Sequence, residues 1–225
     1  MSGRIYLDYN AASVVRPEAE AAVLAALRLG GNASSIHAAG RTARATIEDA
    51  REAVAALAGA RPQDVVFTSG GSEANALAID SAVRAGSRRL IVGATEHASV
   101  LDTAAASGAA VELWPVGSNG VADLGWLSER MKGWKPGDGR PFVAVMAANN
   151  ETGVVQPAAE ISALVHDAGG WLHVDAVQAA GKIPIDAIPA DTMAVSAHKI
   201  GGPQGSGALV VGCDVELTRR AFGGG

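Results

Sequence analysis

Hydrophobic residues fall along this chain in two alternating patterns. Seven short runs are almost continuously apolar and rich in β-branched residues: "DVVFTS" (Asp64–Ser69), "RLIVGA" (Arg89–Ala94), "AVELWPV" (Ala110–Val116), "PFVAVMAA" (Pro141–Ala148), "WLHVDA" (Trp171–Ala176), "MAVSA" (Met193–Ala197) and "GALVVG" (Gly207–Gly212). Runs of this kind predict strands covered on both faces. Around them, helical patterns occupy Pro17–Leu29, Ser35–Ala58, Ser72–Ala85, Ala98–Ala106, Leu124–Met131 and Ala158–Ala168. In the second, Arg41, Arg44, Glu48, Arg51 and Glu52 alternate with alanines, which predicts a solvated face opposite a packed one. Gly59 and Gly169-Gly170 are plausible helix stops. Strand–helix alternation at this rhythm implies an α/β fold with a mostly parallel sheet. "KGWKPGDGRP" (Lys132–Pro141) is expected as a surface loop, and there is no internal repeat.

In open α/β sheets, ligands bind outside the carboxyl ends of the strands. Five of the expected strands are followed by conspicuously polar residues: "TSGGSE", "ATEH", "AANNE", "VDAVQ" and "SAHK". Each alone reads as a capped loop; five at one sheet edge read as a site. In "TSGGSE", Gly70 and Gly71 allow close backbone approach and Ser72 adds a hydroxyl at a helix N-terminus, which favours an anion. The spacing matches neither G-x-G-x-x-G nor the nucleotide-triphosphate loop, so a single phosphate fits better. Asp175 ends an apolar strand and could keep a ring nitrogen protonated. His97 could act as a base, a ligand or a flat surface for a ring. Lys199 is the residue type that reacts with an aldehyde. A phosphate cup, a carboxylate, a flat imidazole and an amine together describe what pyridoxal phosphate requires.

Composition narrows the classes. The 225 residues carry a formal net charge of −5 and no cluster of basic residues, against nucleic-acid binding. The single cysteine, Cys213, excludes an internal disulfide and is expected to be buried and structural. The five histidines lack metal-ligand spacing, so no metal is expected. No apolar run approaches a membrane span, and "MSGRIYLDYN" lacks the apolar core of a signal peptide. A soluble cytoplasmic protein without membrane contact is the expectation.

Seven collinear blocks make the sequence resemble the cysteine desulfurases, within the class V aminotransferase group of fold-type I pyridoxal-phosphate enzymes. They are "YLDYNAA" (Tyr6–Ala12), "NASSIHAAGRTAR" (Asn32–Arg44), "VVFTSGGSEANALAI" (Val65–Ile79), "TEHASVLDT" (Thr95–Thr103), "NNETGVVQP" (Asn149–Pro157), "HVDAVQAAGKIPID" (His173–Asp186) and "SAHKIGGPQGSGAL" (Ser196–Leu209). The resemblance implies a three-layer aminotransferase-like large domain over residues 1–225, with residues 1–15 an N-terminal arm. It further implies that the chain stops, at "AFGGG", before a small C-terminal domain holding the nucleophilic cysteine, a substrate-binding arginine and a threonine that reaches the partner subunit.

Roles follow by the same resemblance. Lys199 would attach the cofactor and then move the Cα proton, Asp175 would pair with the ring nitrogen, and His97 would stack on the ring. Gln178 would bond the phenolic oxygen, and Asn150 would sit near it and the substrate carboxylate. Gly71, Ser72, Ser196 and His198 would hold the phosphate. The family converts L-cysteine to L-alanine, passing sulfur by a persulfide to acceptor or scaffold proteins, including those of iron–sulfur cluster assembly, and works as a homodimer. This sequence departs from the family pattern at Ser72 and at "NAAS", where threonines are usual. It also departs at "NASS", which lacks a proline, and at a shortened "DAIPAD" segment. Another class V enzyme, such as a selenocysteine lyase or an aminotransferase, and a catalytically silent domain are the competing readings.

Overall fold

A computed structural model describes residues 5–220 and 222. The arm expected over residues 1–15 is therefore described from Ile5 onward, and residues 1–4 and the three terminal glycines lie outside the described residues. All seven expected strands form: β1 (Val65–Thr68), β2 (Arg89–Gly93), β3 (Ala110–Trp114), β4 (Phe142–Met146), β5 (Trp171–Asp175), β6 (Thr192–Ser196) and β7 (Gly207–Val211). They make one sheet in the order β1-β7-β6-β5-β4-β2-β3. The pairs within β6-β5-β4-β2-β3 are parallel, and β7 is antiparallel to both its neighbours. The sheet is thus α/β and mostly parallel, as the apolar runs implied.

Among the described residues, six α-helices accompany it: α1 (Pro17–Arg28), α2 (Ala38–Ala58), α3 (Gly71–Arg84), α4 (Ala98–Ala106), α5 (Leu124–Lys132) and α6 (Ala158–Asp167). Alternation within the strands assigns the two faces. Ile91, Val143, Leu172, Val174, Met193 and Val195 pack with residues of α2, α5 and α6. Leu90, Val92, Phe142 and Ala144 pack with Ile79 and Ala82 of α3 and Val100 and Ala104 of α4. His173 and Asp175 are in the phase of the α3/α4 face, as their spacing from Leu172 and Val174 demands. Side chains cap several helices. His37 Nδ1 accepts the Gly40 N–H at 3.3 Å to start α2, and Asp123 accepts the Trp126 N–H at 3.0 Å to start α5. Gly59 ends α2 at φ 64°, in the left-handed region that favours glycine.

Three segments differ from the pattern-based expectation. Arg51 leaves the solvated face of α2: its guanidinium lies 5.0 Å from the Phe67 ring centroid and donates to the Val65 carbonyl. Lys132–Pro141 is not a plain loop, because Pro136–Asp138 makes a 3-10 turn and Trp134 packs against the larger core, donating to Gly139 O at 2.8 Å. Helix α1 forms but buries no residue. Its Val23, Leu24 and Leu27 are exposed, as is Ile36 beyond it, so periodicity located a helix whose apolar side faces outward here.

Where β7 enters the sheet, Gly207 lies against the loop from β1 to α3. A Cβ at Gly207 would meet Gly70 Cα and Val195 O at 2.7 Å, both backbone atoms. Gly207→Ala is therefore expected to cost about 1–3 kcal/mol through overpacking. Gly30→Ala, where nothing lies within 4 Å, should change stability by no more than about 0.5 kcal/mol. Urea midpoints of the two variants check the contrast.

Candidate active site

Because β1, β2, β4, β5 and β6 run the same way, their carboxyl ends open on one edge of the sheet. A cavity of about 680 Å³ lies there. Gly71 and Ser72 from the start of α3, His97 before α4 and Asn150 after β4 line it. So do Asp175 and Gln178 after β5, and Ser196, His198 and Lys199 after β6. Every candidate residue thus reaches one chamber.

At one end lies the α3 N-terminus. Its first-turn amides have no acceptor within the helix, and Gly70 offers no side chain to cap them. Glu73 turns back to accept the Ser69 N–H at 2.6 Å, which holds its carboxyl below the ordinary range. The missing side chain of Gly71 matters for packing: a Cβ there would meet Val177 Cγ2 at 2.6 Å. Ser196 is buried, and its hydroxyl is 2.9 Å from His198 Nδ1. Burial, then the nearby Lys199 cation, push the His198 imidazole down.

Asp175 is buried at the end of β5. Its Oδ1 accepts the Val177 N–H at 3.0 Å and its Oδ2 accepts Asn75 Nδ2 at 2.8 Å. Burial pushes this carboxyl up; those two donors, then the neighbouring His97 and Lys199, pull against it. His97 caps α4, with its Nδ1 accepting the Ser99 N–H at 3.1 Å and lying 2.9 Å from Ser99 Oγ.

Lys199 ends a 3-10 turn, Ala197–Lys199. Its ammonium donates to the carbonyls of Asn10 at 2.5 Å and Ala11 at 2.9 Å, so the N-terminal arm lies over the amine. Burial lowers the lysine's pKa, while Asp8 and Asp175 oppose that shift. Gln178 donates to the same Asn10 carbonyl at 2.8 Å and accepts from Lys182 at 2.6 Å. The Asn150 side-chain amide donates to Glu151 at 2.6 Å, and the Asn150 backbone carbonyl accepts from Asn10 Nδ2 at 3.0 Å.

Pattern reasoning missed four contributors to this region: Asp8 and Asn10 of the arm, Asn75 and Glu96. Glu96 is buried, with one oxygen accepting the Met146 N–H at 2.6 Å and the other lacking a hydrogen-bond partner. Burial, with a further push from Asp175, raises its carboxyl to about 8. A Cβ on Gly93 would meet Glu96 Oε1 at 2.8 Å, so that glycine makes room for the carboxyl. Asn75 was detectable as a lone amide in an alanine-rich helix, three residues after Ser72. Cys213 corrects an expectation: it is exposed, because β7 ends at Val211 and the chain leaves the sheet there.

The aminotransferase class-V family profile matches residues 5–225. The chain belongs to the class-V aminotransferase family. The IscS-like cysteine desulfurase of Mycobacterium tuberculosis is 39% identical over 232 residues, covering 98% of this chain and 58% of that protein. The mitochondrial cysteine desulfurase of Drosophila melanogaster is also 39% identical, over 92% of this chain and 46% of its own length. The NifS-like protein of Rickettsia africae superposes with a TM-score of 0.90 at 31% identity, covering 99% of this chain and 62% of that one. SspA, solved in complex with cysteine, gives a TM-score of 0.88 at 31% identity over 98% of this chain and 65% of its own. The chain therefore spans about half to two thirds of the length of these relatives.

Proposed function

We propose that residues 1–225 form the pyridoxal-phosphate-binding large domain of a cysteine desulfurase. The observation carrying this reading is that the α3 N-terminus, Asp175, His97 and Lys199 line one cavity. The donor set fits the cofactor: unpaired helix amides with Ser72, Ser196 and His198 suit a phosphate. A buried carboxylate suits a protonated ring nitrogen, and a burial-lowered amine suits an aldehyde. The cofactor, when bound, withdraws electrons from the Cα of an amino acid.

The chain's own residues have separate tasks. Lys199 attaches the cofactor, then takes and returns the Cα proton; its lowered pKa raises the neutral fraction available for this at neutral pH. Asp175 would hold the ring-nitrogen proton, and His97 would offer its flat imidazole to the ring. Gln178 and Asn150 would hold the ring oxygen, each exchanging its present partner, the Asn10 carbonyl and Glu151 respectively.

The substrate is L-cysteine, whose sulfur passes to a cysteine thiol as a persulfide, with alanine released. Cys213 lies outside the blocks that carry the resemblance and is not assigned that role. Sulfur then moves to an acceptor or scaffold protein, with iron–sulfur cluster assembly as the pathway class. The working unit is a cytoplasmic homodimer. Similarity to cysteine desulfurases at 39% identity supports the substrate, as does the cysteine complex of a structural neighbour. Among the described residues, no helix is long and apolar enough to cross a membrane.

Product analysis tests the reading. Protein carrying this domain and loaded with pyridoxal phosphate is expected to yield alanine and reductant-released sulfide in equal amounts from L-cysteine, without a 2-oxo acid. Alanine formation that requires a 2-oxo acid would assign an aminotransferase instead, and turnover confined to selenocysteine would assign a lyase. Residues 1–225 alone are expected to attach the cofactor yet form little persulfide.

A further inference from the structure

Behind Asp175 runs a chain of hydrogen-bonded polar side chains that reaches from β6 to the carboxylate. Thr192 Oγ1 lies 2.9 Å from His173 Nδ1, and His173 Nε2 lies 2.9 Å from Asn75 Oδ1. Asn75 Nδ2 reaches Asp175 Oδ2 at 2.8 Å and Ser99 Oγ at 2.9 Å. Strand register supports the first link, since His173 and Thr192 are paired across β5 and β6. His173 and Asn75 are essentially inaccessible to solvent, at 0% and 1% exposure, so the link between them is shielded from water.

Asn75 presents its NH2 group to Asp175 and its carbonyl to His173, the orientation that an ionised carboxylate, which only accepts, calls for. His173 must then donate from Nε2. Burial, opposed by a hydrogen bond to the Thr192 backbone, pushes this imidazole down to about 4, so it is neutral and carries one N–H; with that proton on Nε2, Nδ1 accepts from the Thr192 hydroxyl. A second branch starts from the same amide. Its other N–H goes to Ser99 Oγ, which frees the serine proton for His97 Nδ1. That nitrogen also accepts the Ser99 backbone N–H. A neutral His97 therefore carries its proton on Nε2.

We infer that Asn75, locked from behind by His173, is a positioning residue that keeps Asp175 an ionised acceptor and sets the tautomer of His97. This role rests on the cofactor reading above. Its chemical meaning lies in where one proton resides. A carboxylate buried against a pyridine nitrogen competes with it for the proton, and burial makes Asp175 the stronger competitor. Donors on both carboxylate oxygens weaken that basicity, leaving the proton on the ring. Removing Asn75 strips one donor and also strands the His173 N–H.

The test uses the full chain with pyridoxal phosphate labelled with nitrogen-15 in the ring, and borohydride trapping at Lys199 as proof of loading. Wild type is expected to show a pyridinium nitrogen. Asn75→Ala should move the signal toward neutral pyridine, and His173→Leu should move it part of the way. His173→Gln, which retains a donor near the Nε2 position, should restore it. If wild type is not trapped at Lys199, the cofactor reading fails and this role falls with it. If wild type is loaded and Asn75→Ala and His173→Leu keep the pyridinium signal, the role alone fails. An arm independent of any variant's folding is a nitrogen-15 spectrum of the cofactor-free wild-type chain. It should show His173 as a neutral Nε2–H imidazole, and a proton on Nδ1 would overturn the inference.

Discussion

Lys199→Ala is expected to abolish borohydride-stable attachment of pyridoxal phosphate, to the background of the other lysines, while the chain stays folded. Only four lysines are present, which makes peptide mapping decisive. Lys132 pairs with Glu129 on the exposed end of α5, and Lys135 is exposed in the following segment. The serious competitor is Lys182. It bonds Gln178 beside the site, and its pKa is lowered by burial and then by repulsion from Lys199. Two lowered amines near one cavity could both react with an aldehyde, but Lys199 lines the chamber and Lys182 does not. Lys182→Ala should therefore keep attachment at Lys199. The structural loss in Lys199→Ala is modest: two hydrogen bonds to exposed arm carbonyls contribute about 1–2 kcal/mol each. Label recovered on Lys182 from wild-type protein would remove Lys199 from its assigned role.

Stability of the cofactor-free chain should fall as pH rises, and Glu96 should be a principal cause. Its carboxyl is raised from 4.5 to about 8 in the fold. The stability it contributes is therefore fully present below the unfolded value and is lost as pH climbs through the folded one. Within that window the unfolded chain has released a proton that the folded chain retains, a slope of about 1.4 kcal/mol per pH unit. Between pH 5.5 and 7.5 this one group accounts for a decline of about 2–3 kcal/mol. Glu96→Gln preserves the acceptor for the Met146 N–H and removes the ionisation, so its urea-unfolding free energy should lose that part of the decline. Equal slopes for wild type and variant would show that Glu96 is ionised throughout.

Much of the fold was legible because double burial leaves a simple trace. Strands β4, β5 and β6 are buried at every position, so their runs are apolar end to end and stand out from the helices. The polar residues that close those runs were legible for the same reason. What sequence reasoning missed depends on pairings distant in the chain. Asn75 and Asp175 are 100 positions apart, and no local pattern links an amide on α3 to a carboxylate on β5. Strand alternation puts His173 on the Asp175 side, yet its use appears only once Thr192 and Asn75 are beside it. Arg51 looked solvated because periodicity records charge but not the Phe67 ring waiting across the gap. The exposure of Cys213 was hidden because composition favours burial of a lone cysteine, whereas its position just past a strand end decides otherwise.

The arm over Lys199 also orders events during synthesis. Ser13 and Arg16 donate their amides to the carbonyls of His198 and Gly201, and Asn10 accepts from Lys199 across 189 positions of chain. At ordinary ribosomal rates that separation corresponds to about 10–40 s of elongation. Throughout that interval the arm has been made but the turn that receives it has not. Ile5 and Leu7, still 80% and 82% exposed after docking, travel through it uncovered. The segment that closes over the reactive amine is thus made long before the turn that receives it.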